Sequence, residues 1–112
     1  MRKHSAEECA KSRRALIDTL EVINGKWKLP ILQALDFNTF RFKELTREVG
    51  ITPRMLSREL KAMEVNKLIK RKVVNTYPVT IEYSITPYGT TLRTVISAMR
   101  EWGLNHRKMI IS

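Results

Sequence analysis

The sequence predicts an α+β fold, mostly α, on three observations. Apolar residues recur at helical spacing over most of the chain, the period changes from 3.6 to 2 between residues 68 and 85, and Gly or Pro marks most changes of element. The 112 residues are the right length for one domain, expected to span 1–112. Folding at this length hides roughly two thirds of the unfolded surface, enough for one modest core.

The first helix is read over residues 5–23, with Leu16, Ile17, Leu20 and Ile23 on one apolar face and Lys11, Arg13, Arg14 and Asp18 largely off it. Asn24-Gly25 stops it, because both residues tolerate the left-handed conformation that ends helices. A short apolar helix follows over 29–35, with Pro30 accepted in its first turn. Asp36 to Thr39 reads as a loop, with Thr39 the candidate cap of a third helix, Arg41 to Val49. That helix turns Phe42, Leu45 and Val49 inward and ends at Gly50.

Thr52 and Pro53 open the fourth helix, a side-chain oxygen at the N-cap and a proline at the first helical position. At 100° per residue Leu56, Leu60 and Met63 lie within about 60° of one another. Arg54, Ser57, Arg58 and Lys61 cluster on nearly the opposite side, so one face is core and the other is basic and hydrogen-bonding. Residues 68–74 and 80–85, rich in β-branched and aromatic types, read as two strands of a hairpin. Its loop, Asn75 to Val79, is too long for a two-residue turn. Thr86-Pro87-Tyr88-Gly89 ends the sheet, and the last helix, read over about 90–106 and extending to 110 as a contact element, carries Leu92, Val95, Ile96, Met99 and Trp102 in one stripe.

Two short helices around a glycine turn, followed by a basic hairpin, describe a winged helix-turn-helix: the helix pair over 41–66 and a two-stranded wing over 68–85. The charge follows the same layout. The chain carries a formal +10, and residues 40–72, with ten Lys/Arg against four Asp/Glu, hold +6 of it. Such an excess points to a polyanionic partner, and a helix with outward basic side chains suits the major groove of double-stranded DNA. The expected DNA-facing residues are Lys26, Arg41, Thr52, Pro53, Arg54, Ser57, Arg58, Lys61, Arg71, Lys72, Tyr77 and Thr80. Lys26 and Lys28, on either side of Trp27, reach phosphates or solvate the start of the helix.

The terminal helices, 5–23 and 90–110, carry more apolar surface than so small a body needs. Leu16, Leu20, Val95, Met99 and Trp102 are therefore placed in a homodimer interface. No apolar run approaches 18 residues, so no transmembrane helix and no membrane partner are expected, and the charged N-terminus does not read as a signal peptide. One cysteine excludes an internal disulfide and makes the reducing cytoplasm the expected compartment. No catalytic constellation, metal-ligand spacing between His4 and His106 or elsewhere, or phosphate-cradling glycine loop is present, so no enzyme, cofactor or metal is expected. Cys9 is the candidate redox sensor, its thiolate favoured by the helix start and by Arg2, Lys3 and Lys11 and opposed by Glu7 and Glu8. A small-molecule or electrophile inducer is carried as a candidate without an identity.

The runs Leu20 to Trp27, Arg41 to Leu45, Gly50 to Leu56, Pro78 to Gly89 and Trp102-Gly103 resemble the HxlR family of bacterial winged-helix transcriptional regulators, relatives of the MarR group, in the family's order across residues 20–103. The resemblance implies a homodimer built from the first and last helices, with two recognition helices on an inverted-repeat operator. Three positions depart from the family pattern. Val65, Asn66 and Lys67 stand where relatives often carry an acidic pair and glycine, which leaves Asn66 to take the left-handed cap. Thr80 replaces a wing arginine and weakens one minor-groove or phosphate contact. Arg14 occupies the place of the sensing cysteine of many relatives, five residues after Cys9. The expected function is a sequence-specific double-stranded DNA-binding regulator, repression being the expected direction. The alternative is a non-specific architectural DNA- or RNA-binding protein.

Overall fold

The computed structural model describes residues 5–75 and 77–111. Its elements run α1 (Ala6–Ile23), α2 (Lys28–Phe37), β1 (Phe40–Arg41), α3 (Phe42–Val49), α4 (Pro53–Val65), β2 (Ile69–Val74), β3 (Thr80–Ile85), a 3-10 turn (Gly89–Leu92) and α5 (Arg93–Ile111). Ser5 caps α1, its Oγ accepting from the Glu8 N–H at 3.1 Å. Gly25, at φ +85°, turns the chain out of the helix. Asn24 itself stays extended, so Gly25 alone supplies the left-handed residue of that stop.

Three expectations change here. Asp36 and Phe37 belong to α2 rather than to a loop, which leaves Asn38 and Thr39 as the connection. The N-cap of α3 is Arg41 and not Thr39: the Glu44 Oε1 accepts from the Arg41 N–H at 2.9 Å, closing the first turn from inside the helix. Phe40 and Arg41 form a strand, so the two-stranded wing is part of a three-stranded antiparallel sheet ordered β1-β3-β2. In β3, Tyr83 pairs with both Phe40 and Arg71, and Glu82 with both Arg41 and Lys72.

The core is built around α2, which packs against α3, α4, α5 and β3. Ile31, Leu32 and Leu35 of α2 are buried together with Leu45, Leu56, Leu60, Met63, Leu68, Ile69 and Tyr83. The sheet closes onto this core through Thr86. Its Oγ1 donates to the Lys67 carbonyl at 2.7 Å and accepts from the Gly89 N–H at 2.9 Å, while its N–H donates to the Leu68 carbonyl at 3.0 Å. Gly89 sits so close that a Cβ there would strike the Leu68 carbonyl oxygen and the Ile85 side chain.

Each end of α2 is held by a charged contact. At its start Lys28 is only 8% exposed and pairs with Glu59 of α4 at 2.8 Å, so it neither solvates the helix start nor extends toward a phosphate. At its end Asp36 takes two 2.9 Å hydrogen bonds from Nε of Arg93, with a guanidinium nitrogen 2.7 Å from Oδ1, and so ties α5 to α2.

The hydrogen bonds from Arg93 hold the Asp36 carboxyl below its ordinary value of 3.8; partial burial opposes this and the guanidinium charge adds to it. A folded-state pKa below the unfolded one stabilises the fold above about pH 4 and loses that contribution as pH falls through the folded-state value. Asp36→Asn should therefore lower the urea midpoint at pH 7 and flatten its decline between pH 5 and 2. An unchanged acid limb in the variant would show that the contact does not stabilise α5 on the body.

Candidate nucleic-acid interface

The helix-turn-helix is set by its turn. Gly50 ends α3 at φ +76°, and the Thr46 carbonyl accepts from the N–H groups of both Gly50 (2.9 Å) and Ile51 (3.2 Å). A side chain with a Cβ would be strained at that angle. Ile51 is buried, and Thr52 then caps α4, its Oγ1 accepting from the Met55 N–H at 3.3 Å with Pro53 in the first turn. The residues between the helices thus both close α3 and start α4.

Leu56, Leu60 and Met63 turn α4 into the core, as their spacing requires. Arg54, Arg58 and Lys61 are exposed on the outer side, and Ser57 is half-buried beside them. Thr52 and Pro53 are exposed at the helix start. The far end corrects one expectation: Lys67 and not Asn66 takes the left-handed conformation, at φ +61°. Asn66 has its backbone and side-chain nitrogens both directed to the Ala62 carbonyl. The chain closes one residue later as a Schellman turn, with Leu68 N–H to the Met63 carbonyl at 3.0 Å and Lys67 N–H to the Glu64 carbonyl at 2.9 Å. Burial of both Met63 and Leu68 supplies the apolar contact that accompanies such a turn.

In the wing, alternation divides the three consecutive cations. Arg71 lies on the sheet face of Ile69 and Tyr83, whereas Lys70 and Lys72 share the other face with Ser84 and Glu82. All three are exposed. Lys72 and Arg41 stand opposite Glu82 on either side, so a carboxylate sits between them in the sheet. Tyr77, at the tip, is fully exposed. Thr80 is half-buried across from Val74, with its hydroxyl shielded from solvent.

The connection between α1 and α2 places Lys26 over the Trp27 ring, with Nζ 4.9 Å from the centroid. Sequence reading missed Glu59, whose charge pairs with Lys28; an acid set between the cations Arg58 and Lys61 was the available signal. Lys43 and Arg47 of α3 are exposed as well and extend the positive surface.

The residues placed in a dimer interface lie on bare helical faces. Leu16 and Leu20 of α1 are 64% and 61% exposed, Trp102 of α5 is 67% exposed, Met99 is exposed and Val95 is half-buried. Trp102 stacks on His106, with ring centroids 4.8 Å apart. Cys9 is exposed in the second turn of α1. Arg2, Lys3 and His4 lie outside the described residues. Among the described residues no group of His, Cys, Asp and Glu is arranged to hold a metal ion, and no helix is long and apolar enough to cross a membrane.

Residues 22–110 match the HxlR-like helix-turn-helix family. An HTH-type transcriptional regulator of Halalkalibacterium halodurans is 41% identical over 91 residues, 80% of each chain. The regulator YtcD of Bacillus subtilis is 40% identical over 89 residues, 79% of this chain and 71% of YtcD. The crystal structure of ytcD superposes with a TM-score of 0.78 at 38% identity, covering 83% of this chain and 96% of that one. The redox regulator HypR in its reduced form gives a TM-score of 0.80 at 35% identity, covering 86% and 96%. With a winged helix-turn-helix fold, a basic outer face on its second helix and this kinship, the chain belongs to the HxlR family of DNA-binding helix-turn-helix transcriptional regulators, which are not enzymes.

Proposed function

We propose that the chain is a sequence-specific regulator, a repressor, that acts in the cytoplasm as a homodimer of one-domain subunits on an inverted-repeat operator. The observation that carries this reading is the outer face of α4, where Arg54, Arg58 and Lys61 are exposed opposite a fully buried apolar face. A helix anchored so firmly on one side presents the other as a rigid unit to the major groove, about 12 Å wide. Arginine holds guanine O6 and N7 with two hydrogen bonds, so Arg54 and Arg58 are assigned to base edges and Lys61 and Ser57 to neighbouring contacts. Thr52 and Pro53 open α4 beside a backbone phosphate, where the free N–H groups of a helix start favour an anion.

The wing and the α1–α2 connection hold the backbone. Arg71 faces the helix side of the sheet and is the stronger wing contact. Lys72 and Arg41 act on phosphates with their charge reduced by Glu82 between them. Tyr77 reaches from the wing tip, Lys26 contributes charge beside Trp27, and Thr80, shielded, contributes least. The dimer is supported by the bare apolar faces of α1 and α5. Leu16, Leu20, Met99 and Trp102 would otherwise leave large apolar side chains in water on two separate helices, and Val95 borders them. Cys9 is exposed near the start of α1, five residues before the place of the relatives' sensing cysteine, and its exposure makes it the candidate for an electrophile or oxidant inducer. The net +10 also suits an architectural protein that binds any duplex, and the experiments below separate the two.

Binding of Arg58→Ala and Lys72→Ala should be measured on the preferred duplex and on its scrambled counterpart across a salt series. Arg58→Ala should lose about 1–3 kcal/mol on the preferred duplex alone, and Lys72→Ala should weaken both and lower the salt slope by up to about 1. Equal losses on both duplexes for Arg58→Ala would favour the architectural reading. In the same assay wild-type protein should lose affinity on treatment with peroxide or quinone and Cys9→Ser should not; identical responses remove Cys9 as a sensor. Sedimentation equilibrium should give a dimer at micromolar concentration, with Trp102→Ala weakening the dimer by about 2 kcal/mol or more. A wild-type monomer would refute the interface.

A further inference from the structure

Among the described residues α1 is exposed from Ala6 to Glu21, and burial begins only at Val22 and Ile23. The direction in which α1 leaves the body is therefore decided at its last turn and in the connection that follows. At that place the Lys28 ammonium donates to the Asn24 side-chain oxygen at 2.9 Å and to the Asn24 carbonyl at 3.4 Å, and it pairs with Glu59 at 2.8 Å. Asn24 is the C-cap of α1, Lys28 is the first residue of α2, and Glu59 lies midway along α4. One ammonium thus joins the root of the arm, the central helix and the recognition helix.

Stability alone does not explain such a pair. Removing two charges from water costs about what their attraction returns, and apolar side chains of the same volume hold helices together as well. A short ion pair with two further oxygen contacts supplies direction instead: it sets the distance and angle between the groups it joins. Glu59 is half-buried and lies 140° around α4 from Arg54 at 100° per residue, well off the basic face, so its carboxylate is directed to the body and not to a duplex.

We propose that Lys28, Glu59 and Asn24 are positioning residues that set the spacing of the two DNA half-sites. The inference rests on the dimeric reading above. If α1 and α5 form the dimer, the angle between α1 and α4 becomes the angle between the dimer axis and each recognition helix. A change of one base pair moves a half-site by about 3.4 Å and rotates it by roughly a tenth of a turn. The recognition helix α4 is fixed on its buried face, and α1 is exposed up to its last turn. A swing of α1 against the body about the Lys28 ammonium therefore changes both the separation and the relative rotation of the two recognition helices, and the contact that fixes this angle fixes the preferred spacing.

The test uses the full chain and duplexes carrying the preferred half-sites at their natural spacing and with one base pair added or removed. Wild type should discriminate among them. Glu59→Gln, which keeps the shape and removes the charge, and Lys28→Met should each dimerise as wild type does and bind a single half-site unchanged. Their preference for the natural spacing should fall roughly 3- to 10-fold. The double variant should lose no more than either single one, because one interaction is being removed twice, and Lys28→Arg should keep the preference. Lowered thermal stability with an intact spacing preference in Glu59→Gln would assign the pair a merely structural role and overturn the proposal. A wild-type chain that is monomeric, or a dimer indifferent to spacing, would show that the dimeric operator reading has failed, apart from any variant.

Discussion

Burial of one short helix governs this molecule. Ile31, Leu32 and Leu35 of α2 are almost completely removed from water, and α3, α4, α5 and β3 all rest against that helix. Each such side chain contributes about 1.5–3 kcal/mol when fully buried, a large share of what a chain of this length has available. The helix-turn-helix is held on one side of α2, the sheet covers another, and α5 leaves from its C-terminal end. The charged contacts at Lys28 and Asp36 then fix what apolar packing leaves free, namely the direction in which neighbouring elements cross it.

That arrangement separates two kinds of apolar residue. Those that face α2 form the core, whereas Leu16, Ile17 and Leu20 of α1 and the outer stripe of α5 have no cover among the described residues. The apolar stripe of α5 shows both fates: Leu92 and Ile96 pack against the core, whereas Met99 and Trp102 stand in solvent. The basic face of α4 follows from the same geometry, since a helix whose inner side is fully used can present only its outer side.

Most of this was legible in the sequence because local chemistry and tertiary packing agree. Gly50 and the Thr52-Pro53 pair set the turn and the start of α4, and the Leu56, Leu60, Met63 spacing set its inner face. The change of period from 3.6 to 2 assigned the two strands of the wing. What escaped depends on partners distant in sequence. Phe40 and Arg41 are a strand only because Tyr83 and Glu82 lie beside them, and two residues carry no period. Lys28 reads as a solvated lysine until Glu59 is seen 2.8 Å away. The left-handed residue falls on Lys67 because Asn66 still donates twice to Ala62, a choice that composition does not reveal. Periodicity also cannot distinguish a face that meets the core from one left open to solvent, so Leu16 and Leu32 look alike in sequence and differ completely in burial.

A symmetric pair of recognition helices that read bases is tested most directly by selection of bound fragments from a random duplex pool by the purified chain. Such a pair should enrich one motif with two inverted half-sites whose centres lie about one helical turn, roughly 10–10.5 base pairs, apart or a small multiple of it. It should also show a preference over random duplex of about 10³ or more. Enrichment without any motif, or of a single unpaired half-site, would contradict such a pair.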